Sequence, residues 1–277
     1  MATAASTPIW DIIRREVEEE VKNEPLLAKF LEEAVLKHAS LVDALRFHLA
    51  QKLSCQILSA AHFESIVTEA YSQIGEIECI IRSDIEAIVE RDPATVYYYE
   101  PLLFFKGFHA LEAYRVAHWL WLAGRKSIAY FLQNRISEAF AVDIHPAATI
   151  GKGVFIDHAT GVVIGETAVI EDNVSLLHSV TLGGTGKETG DRHPKVRHGV
   201  LIGAGAKILG NVEIGAGAKI GAGSVVLENI PPHTTAAGVP ARVLGKVEVP
   251  EPALEMNHRL TESECPEKKR LRKKRAS

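Results

Sequence analysis

Two different spacings of apolar residues divide the chain near residue 140. In the first part, apolar residues recur at intervals of three and four, which is typical of amphipathic helices. The first such stripe consists of Ile9, Ile12, Ile13 and Val17. Ser40, followed three residues later by Asp43, is a variant of the capping box with which helices begin. The pattern predicts an all-helical domain over residues 1–140.

From residue 142 onward, aliphatic residues recur every six positions instead. The in-phase series are Ile144, Ile150, Ile156 and Val162; Ile164, Ile170, Leu176 and Leu182; and Ile202, Ile208, Ile214, Ile220 and Val226. Six is a known solenoid period, in which each repeat makes one short strand and one turn and its aliphatic side chain points to the axis. Because three hexapeptides close one coil, the repeats predict roughly four coils of a β-helix over residues 141–246.

The six-residue spacing is interrupted twice. It slips by two residues across "DHATG" at residues 157–161, and it is lost between Leu182 and Ile202. The second interruption, "GGTGKETGDRHPKVRHG", is polar, charged and rich in glycine. A solenoid accepts an insertion only where it projects outward, and such loops often carry function. We therefore expect an extruded loop over residues 183–200. Both interruptions contain histidines, so both are candidate functional sites.

Composition and charge narrow the class of protein. The chain is 47% hydrophobic and 24% charged, which is typical of a soluble globular protein. No apolar run suits a transmembrane helix, and the N-terminus does not resemble a secretory signal. Cys55, Cys79 and Cys265 match no metal motif and favour a reducing, cytoplasmic location. The last ten residues carry seven positive charges, so we expect residues 247–277 to form a basic, disordered tail.

Seven segments together carry a family resemblance. They are "RDPA", "KGFHALEAYRVAHWLW", "DIHPAATIG", "DHATGVVIGETAVI", "VTLGGTGKETGDRHPK", "IGAGAKILGN" and "TAAGVPARVLG". Over about residues 8–246 the chain resembles the serine O-acetyltransferases, a family of hexapeptide-repeat acyltransferases. The resemblance implies an α + β fold in which a helical domain precedes a left-handed parallel β-helix. It implies acetyl transfer from acetyl-CoA, as co-substrate, to the hydroxyl of L-serine. The product, O-acetyl-L-serine, is the skeleton for cysteine synthesis, and neither a permanent cofactor nor a metal is implied.

This reaction needs a base, because a serine hydroxyl is a poor nucleophile until its proton is removed. An imidazole, with an unperturbed pKa of about 6.5, suits that task. His158, in the slipped repeat, is the candidate, and the resemblance pairs it with Asp143 of "DIHP". The spacing puts the two residues on adjacent coils without stacking them, so we expect the bulge to aim His158 at Asp143 or at a neighbouring subunit. His178 and His198 are given no role.

The resemblance also assigns the groups that bind the amino acid. Arg192 and His193 of "GDRHPK" match the residues that bind the serine carboxylate, for which arginine supplies a forked donor. Asp92 of "RDPA" and Asp157 match those that hold the ammonium group. Since Asp92 lies in the helical half, that half would close the serine pocket. Asp92 is alternatively a turn-forming residue, and Arg192 a solvated loop charge.

Coenzyme A is long and needs a flat, small-residue surface with cations at its end. The candidates of small size are Gly184, Thr185, Ala204, Gly205 and Ala222, although coil geometry alone also explains such residues. The candidates for the phosphates are Lys219, Arg242 and Lys246.

The resemblance further implies an assembly and small-molecule regulation. Family members form trimers with the active site between neighbouring coils, and the helical domains join two trimers into a hexamer. L-cysteine is expected to compete with L-serine for the same groups. Family tails often end in isoleucine and dock into O-acetylserine sulfhydrylase. This sequence ends at Ser277 instead, and this departure leaves open whether such a complex forms.

Three alternatives remain at the level of sequence. The chain is a hexapeptide acetyltransferase that modifies a sugar or antibiotic hydroxyl, although such relatives usually lack the long helical domain. It is a metal-dependent γ-type carbonic anhydrase, which His158, His178 and His193 superficially suggest. Or it is a scaffold or nucleic-acid-binding protein that works through its basic tail.

Overall fold

The computed structural model describes residues 8–247 and 249–260. The helical half ends at Phe140, where the apolar spacing changes. Its α-helices are α1 (Ile9–Asn23), α2 (Ala28–Leu31), α3 (Leu41–Leu53), α4 (Ala60–Gln73), α5 (Ile77–Arg91), α6 (Tyr99–Phe104), α7 (Lys106–Leu122) and α8 (Lys126–Phe140). One π-helical turn, Glu32–Leu36, follows α2 directly. Judged by length and hydropathy, the described segments contain no candidate for a bilayer-spanning helix.

Two sequence signals act locally in this half. The apolar stripe of α1 packs inward and buries Ile13 and Val17 completely. At the start of α3, the Ser40 hydroxyl oxygen accepts a hydrogen bond from the Asp43 backbone amide at 3.1 Å. The same hydroxyl donates to the Asp43 carboxylate at 2.8 Å. The helix start that Ser40 predicts is confirmed, because this N-cap satisfies an amide that the helix itself leaves unpaired.

The second half is a parallel β-helix whose strands stack in three sheets. The first sheet contains β1 (Val142–Ile144), β4 (Val162–Ile164), β7 (Thr181–Gly183), β10 (Lys207–Leu209) and β13 (Val225–Val226). The second contains β2 (Thr149–Ile150), β5 (Val169–Ile170), β8 (Lys195–Val196) and β11 (Glu213–Ile214). The third contains β3 (Phe155–Ile156), β6 (Ser175–Leu176), β9 (Leu201–Ile202), β12 (Lys219–Ile220), β14 (Thr234–Gly238) and the antiparallel β15 (Ala241–Lys246).

Stacked aliphatic side chains fill the axis of this coil. In the first sheet, the residues in register and fully or almost fully buried are Ile144, Ile164, Leu182, Ile208 and Val226. Burial of one such side chain per repeat stabilises every coil against its neighbours. The predicted left-handed parallel β-helix is confirmed. Since the first sheet has five strands, the coil makes about one more turn than the spacing predicts.

Strand register locates the slipped repeat. Val142 pairs with Val162, twenty residues later, whereas Val163 pairs with Thr181, eighteen residues later. The two additional residues lie between β3 and β4, within residues 157–161. The predicted slip is therefore a bulge that leaves the pairing on both sides intact.

Strand register also locates the extruded loop. Val169 pairs with Lys195, twenty-six residues later, and Lys195 pairs with Glu213 after the normal eighteen. The eight additional residues lie between β7 and β8. The expected loop over residues 183–200 was too long, because the chain returns to the coil at β8. Val196, which is fully buried there, stands among polar neighbours that conceal the repeat in the sequence.

Helix α7 ties the helical half to the first coil. A Cβ atom on Gly107 would lie 2.1 Å from the backbone oxygen of Ile156, so only glycine permits this approach. Further along α7, the Arg115 guanidinium donates to the Gly151 carbonyl at 2.9 Å and to the Asp84 carboxylate of α5. The helices therefore hold the coil immediately beside the bulge.

Residues 249–260 do not form the disordered tail that the sequence predicts. They include α9 (Pro252–Glu255), which packs against α5 and β9. Ala253 is fully buried, and its carbonyl accepts a hydrogen bond from the Ser175 hydroxyl at 3.0 Å. The prediction was wrong here because it was based on the positive charge of the C-terminal residues and did not include contacts with residues far away in the chain. Residues 261–277, with the basic run and Cys265, lie outside the described residues.

Candidate functional site

The two interruptions of the repeat lie on two different corners of the triangular coil. The His158 corner joins the third sheet to the first and consists of residues 157–161, 178–179, 204–205 and 222–223. The Arg192 corner joins the first sheet to the second and consists of residues 145–148, 165–168, 184–194 and 210–212. A three-residue strand of the first sheet separates them, which corresponds to roughly 10 Å.

The bulge on the His158 corner is a strained backbone segment. Two consecutive non-glycine residues, His158 and Ala159, have φ values of 54° and 58°. Such left-handed conformations crowd the Cβ atom and persist where the surroundings impose them, often at functional sites. The Gly161 amide donates to the Ala141 carbonyl at 2.8 Å and holds the bulge against the preceding coil. The His158 side chain is 74% exposed and projects from the corner.

Acidic groups and a second imidazole lie around His158. One oxygen of the Asp157 carboxylate is 3.7 Å from His158 Nδ1, and the ring of His178 is edge-on at 5.8 Å between centroids. Burial raises the pKa of Asp157; His158 opposes this, and the negative charge of Asp92 adds to it. His178 Nδ1 is buried and has no hydrogen-bond partner within the described part of the chain. This corner therefore combines an accessible base with acids whose charges interact.

Asp92 reaches this corner from the loop that follows α5. Its carboxylate accepts hydrogen bonds from the Ala94 amide and the Thr95 hydroxyl, both at 2.9 Å. The turn-forming role that the sequence suggests is thus present. The same carboxylate lies close enough to Asp157 to affect its pKa. The fold brings an acid from the helical half to the His158 corner.

Asp143 lies in the middle of β1, between the two corners. Its carboxylate accepts a hydrogen bond from the Gln133 side-chain amide of α8 at 2.6 Å. Across residues 8–247 and 249–260, Asp143 makes no hydrogen bond or ion pair with His158. Its charge acts instead on His145: burial lowers the pKa of His145, and Glu166 and Asp143 oppose that change. The pairing of Asp143 with His158 stays a prediction.

Arg192 and His193 lie together at the base of the extruded loop. The Arg192 guanidinium donates to the Glu166 carboxylate at 2.7 Å, and this hydrogen bond lowers the pKa of Glu166. The Thr167 hydroxyl oxygen accepts from the Arg192 and His193 amides at 3.0 and 3.1 Å. The Thr167 hydroxyl also lies 2.9 Å from His193 Nδ1. Burial lowers the pKa of His193, and the charge of Arg192 adds to that effect.

The small residues predicted for CoA are divided between the corners. Gly184 and Thr185 lie on the Arg192 corner, and Ala204, Gly205 and Ala222 lie on the His158 corner. On the latter, backbone hydrogen bonds link successive coils. The Gly205 amide donates to the His178 carbonyl at 2.9 Å, and the Gly223 amide donates to the Ala204 carbonyl at 2.8 Å. A continuous edge of small residues therefore leads away from His178 and His158.

The three predicted phosphate contacts also occupy different environments. Lys219 is buried, and its ammonium group donates to the Arg259 carbonyl. Leu260 lies over Gly221, the residue after β12, so residues 257–260 cover this part of the coil. Arg242 and Lys246 lie on β15 and are exposed.

Sequence reasoning missed three residues that support the site. They are Gln133, which contacts Asp143, and Glu166 and Thr167, which hold Arg192 and His193. Glu166 and Thr167 immediately follow the "VVIG" of a repeat, where the chain turns a corner. A polar pair directly after the glycine of a repeat therefore indicates side chains that can hydrogen-bond to the next coil. Gln133 had no such signal, because its partner lies on another element.

A helical domain joined to a hexapeptide coil with two histidine-bearing corners defines a hexapeptide-repeat acyltransferase. Residues 9–113 match the family described as serine acetyltransferase, N-terminal, and residues 193–228 match the bacterial transferase hexapeptide family. The chain is 57% identical over 249 residues to the serine acetyltransferase of Escherichia coli K12, covering 90% of this chain and 91% of that protein. The chain belongs to the serine acetyltransferase family, so the predicted family and enzyme class are confirmed.

Solved structures agree with this assignment. A serine acetyltransferase in complex with cysteine has a TM-score of 0.89 and 54% identity, covering 91% of this chain and 98% of that one. The Brucella abortus serine acetyltransferase in complex with coenzyme A has a TM-score of 0.86 and 52% identity, covering 87% and 96%. Both likenesses span the helical half and the coil.

Proposed function

We propose that the protein transfers the acetyl group of acetyl-CoA to L-serine with His158 as general base. The serine hydroxyl oxygen attacks the thioester carbonyl while the imidazole removes the hydroxyl proton. The C–S bond then breaks, and the departing CoA thiolate takes the proton from the imidazolium. The products are O-acetyl-L-serine and CoA. The observation that carries this proposal is the strained bulge, which projects His158 at the end of an edge of small residues.

The charged groups around the bulge suit an amino acid. Serine carries one carboxylate and one ammonium group at neutral pH. We assign the carboxylate to Arg192 and His193, because a guanidinium binds a carboxylate with two parallel hydrogen bonds. We assign the ammonium group to Asp157 and Asp92, whose mutual repulsion a bound cation relieves.

The two sets of groups lie on different corners of the same chain. Within the described residues, no hydrogen bond or ion pair joins the His158 corner to Arg192 or His193, and a strand of the first sheet separates them. We therefore propose that the His158 corner of one subunit faces the Arg192 corner of a neighbour. Asp143, on that separating strand, would complete the site by orienting His158 across the interface.

This arrangement implies an oligomer, which we propose to be a dimer of trimers. The helical half supplies exposed apolar side chains for the contact between trimers: Leu26, Ile57 and Val96. Light scattering on the purified protein should give the mass of six chains of 30.2 kDa. A monomer would overturn the shared site.

For acetyl-CoA, we propose that the pantetheine arm lies along the small-residue edge. Ala204, Gly205 and Ala222 would line it from one subunit, and Gly184 and Thr185 from the next. Arg242, Lys246 and, after displacement of residues 257–260, Lys219 would bind the phosphates. The complex of the Brucella abortus relative with coenzyme A supports this proposal.

A cytoplasmic location also fits the chemistry of the chain. Cys55 and Cys79 are free thiols, and such thiols persist in reducing compartments. Cell fractionation that finds the protein outside the cytoplasm would contradict this proposal.

Gly165→Ala should raise the KM for serine by about tenfold, because it disturbs the contacts of a substrate-binding group. A Cβ atom at Gly165 would lie 2.0 Å from Cδ2 of His193 and would push the ring away from Thr167. Michaelis–Menten curves for serine at saturating acetyl-CoA measure the effect. The control is Gly75→Ala, since a Cβ atom there meets no atom within 4 Å. Equal KM values for both variants would contradict the role of His193.

L-cysteine should inhibit competitively with serine, because sulfur replaces oxygen while the carboxylate and ammonium groups stay the same. The complex of a relative with cysteine supports this expectation. Initial rates at several serine concentrations and fixed cysteine provide the measurement. Inhibition that high serine does not relieve, or none at all, would count against a common site.

The central experiment compares acceptors by release of thiol from acetyl-CoA. L-serine should react faster than any sugar or antibiotic alcohol at equal concentration. A faster rate with one of those alcohols would overturn serine as the substrate and leave the general-base assignment intact.

A further inference from the structure

A cavity of about 410 Å³ lies in the helical half, close to the catalytic bulge but outside the groups assigned above. Its cationic lining comes from three helices: Lys52 of α3, Lys106 of α7 and Arg135 of α8. The lining includes one carboxylate, that of Glu138, and it forms an ion pair with Arg135. A cavity of this size is typical of small-molecule sites.

Two ammonium groups at this cavity lack a counter-charge. Lys52 makes no hydrogen bond or ion pair within the described ranges, and Lys106 donates only to the Thr160 hydroxyl. Burial lowers the pKa of His48 to about 4 and that of His109 to about 3. The charge of Lys52 adds to both effects, and His48 adds to the effect on His109. These imidazoles are therefore neutral at pH 7. The positive potential of the cavity comes from its lysines, and it favours an anion.

The remaining wall is apolar. Phe104 supplies the exposed part of this wall, because its side chain is 51% exposed. Phe140 lies behind it, almost fully buried, and packs against the His109 ring at 5.7 Å between centroids. A bare inorganic ion would leave this wall uncovered. We propose that the cavity binds a small organic anion, in which an oxyacid group meets Lys52 and Lys106 while a short apolar body covers the aromatic wall.

This site would lie beside the catalytic base. Lys106, which would hold the anion, contacts Thr160, and the Thr160 amide donates to the His158 carbonyl at 2.6 Å. Because Thr160 belongs to the bulge, an anion bound at Lys106 would lie next to a side chain that contacts the bulge directly. This inference rests on the proposed function only for its position beside His158. A direct binding measurement therefore distinguishes its failure from failure of the proposed reaction.

Calorimetric titration with phenyl phosphate tests the inference. The full-length protein is first saturated with CoA and L-serine, so that neither the CoA surface nor the groups assigned to the serine carboxylate contribute. We expect one binding event per chain, weakened about tenfold or more by Lys52→Met and by Lys106→Met, because each removes a charge-assisted hydrogen bond. Inorganic phosphate should bind more weakly than phenyl phosphate, and benzyl alcohol, which has the ring without the charge, should not bind measurably.

Lys29→Met is the matched control, because it removes an exposed lysine of α2 that does not line the cavity. It should bind phenyl phosphate like the unaltered protein. All variants keep residues 261–277, so anion binding by the basic run is the same in each. Lys52→Met should also keep the basal rate of acetyl transfer. The inference is overturned if no binding heat appears, if Lys52→Met and Lys106→Met bind normally, or if benzyl alcohol binds as well as phenyl phosphate.

Discussion

Replacement of His158 by asparagine should lower kcat for acetyl transfer by about 10² to 10⁴, the factor that a positioned general base typically contributes. The side chain is 74% exposed, so its loss removes no core packing and should leave the melting temperature unchanged. Initial rates over a range of serine and acetyl-CoA concentrations separate kcat from KM. A loss confined to KM would assign His158 to binding and not to proton transfer.

His198→Asn is the matched control for this experiment. His198 is also an exposed histidine of the coil, 53% exposed, but it follows β8 and lies away from both site corners. Its replacement should change kcat less than twofold, within the range of ordinary surface substitutions. Equal losses in the two variants would show that the effect is not specific to the bulge.

Arg115→Met should destabilise the protein by about 3 to 5 kcal/mol, the usual cost of breaking a buried ion pair from one side. Arg115 is only 7% exposed and contacts Asp84 and Glu112, whose side chains are fully buried. Burial already raises the pKa of Glu112, and the guanidinium opposes that change. Without Arg115, two carboxyl groups remain in the core with no cation. Urea denaturation followed by circular dichroism measures the change.

Arg82→Met provides the comparison on the surface. Arg82 is 51% exposed, and its nitrogen lies 3.7 Å from the Glu86 carboxylate on the same helix. Exposed pairs of this kind contribute about 0 to 1 kcal/mol, so the urea midpoint should barely move. If Arg115→Met were equally mild, the buried contacts between α5, α7 and the first coil would not hold the two halves together as inferred.

Much of the fold follows from local patterns. The six-residue spacing predicts the coil because each repeat buries one aliphatic side chain, which packs against the residue at the corresponding position of the next coil. The slip at residues 157–161 was visible in the sequence because a bulge of two residues shifts every later aliphatic position by two. Ser40 and Asp43 predicted a helix start because their hydrogen bonds involve neighbours along the chain.

Other features depend on partners that the linear pattern does not reveal. The strand β8 stands among polar residues, so its buried Val196 was taken for part of a loop. Residues 249–260 pack onto α5 and the coil through contacts with distant residues such as Ser175. The support of Asp143 by Gln133 likewise joins two elements whose relative orientation no local signal specifies.

By itself, the sequence determined the class of fold, the position of the bulge and the residue types that acetyl transfer needs. These properties are repeated or contiguous along the chain, so spacing and resemblance suffice to find them. Only the tertiary structure decided that Asp92 reaches Asp157 and that His158 and Arg192 occupy different corners. The physical reason is that such placements depend on how separate helices and coils pack, and that packing is set by contacts between residues far apart in the chain.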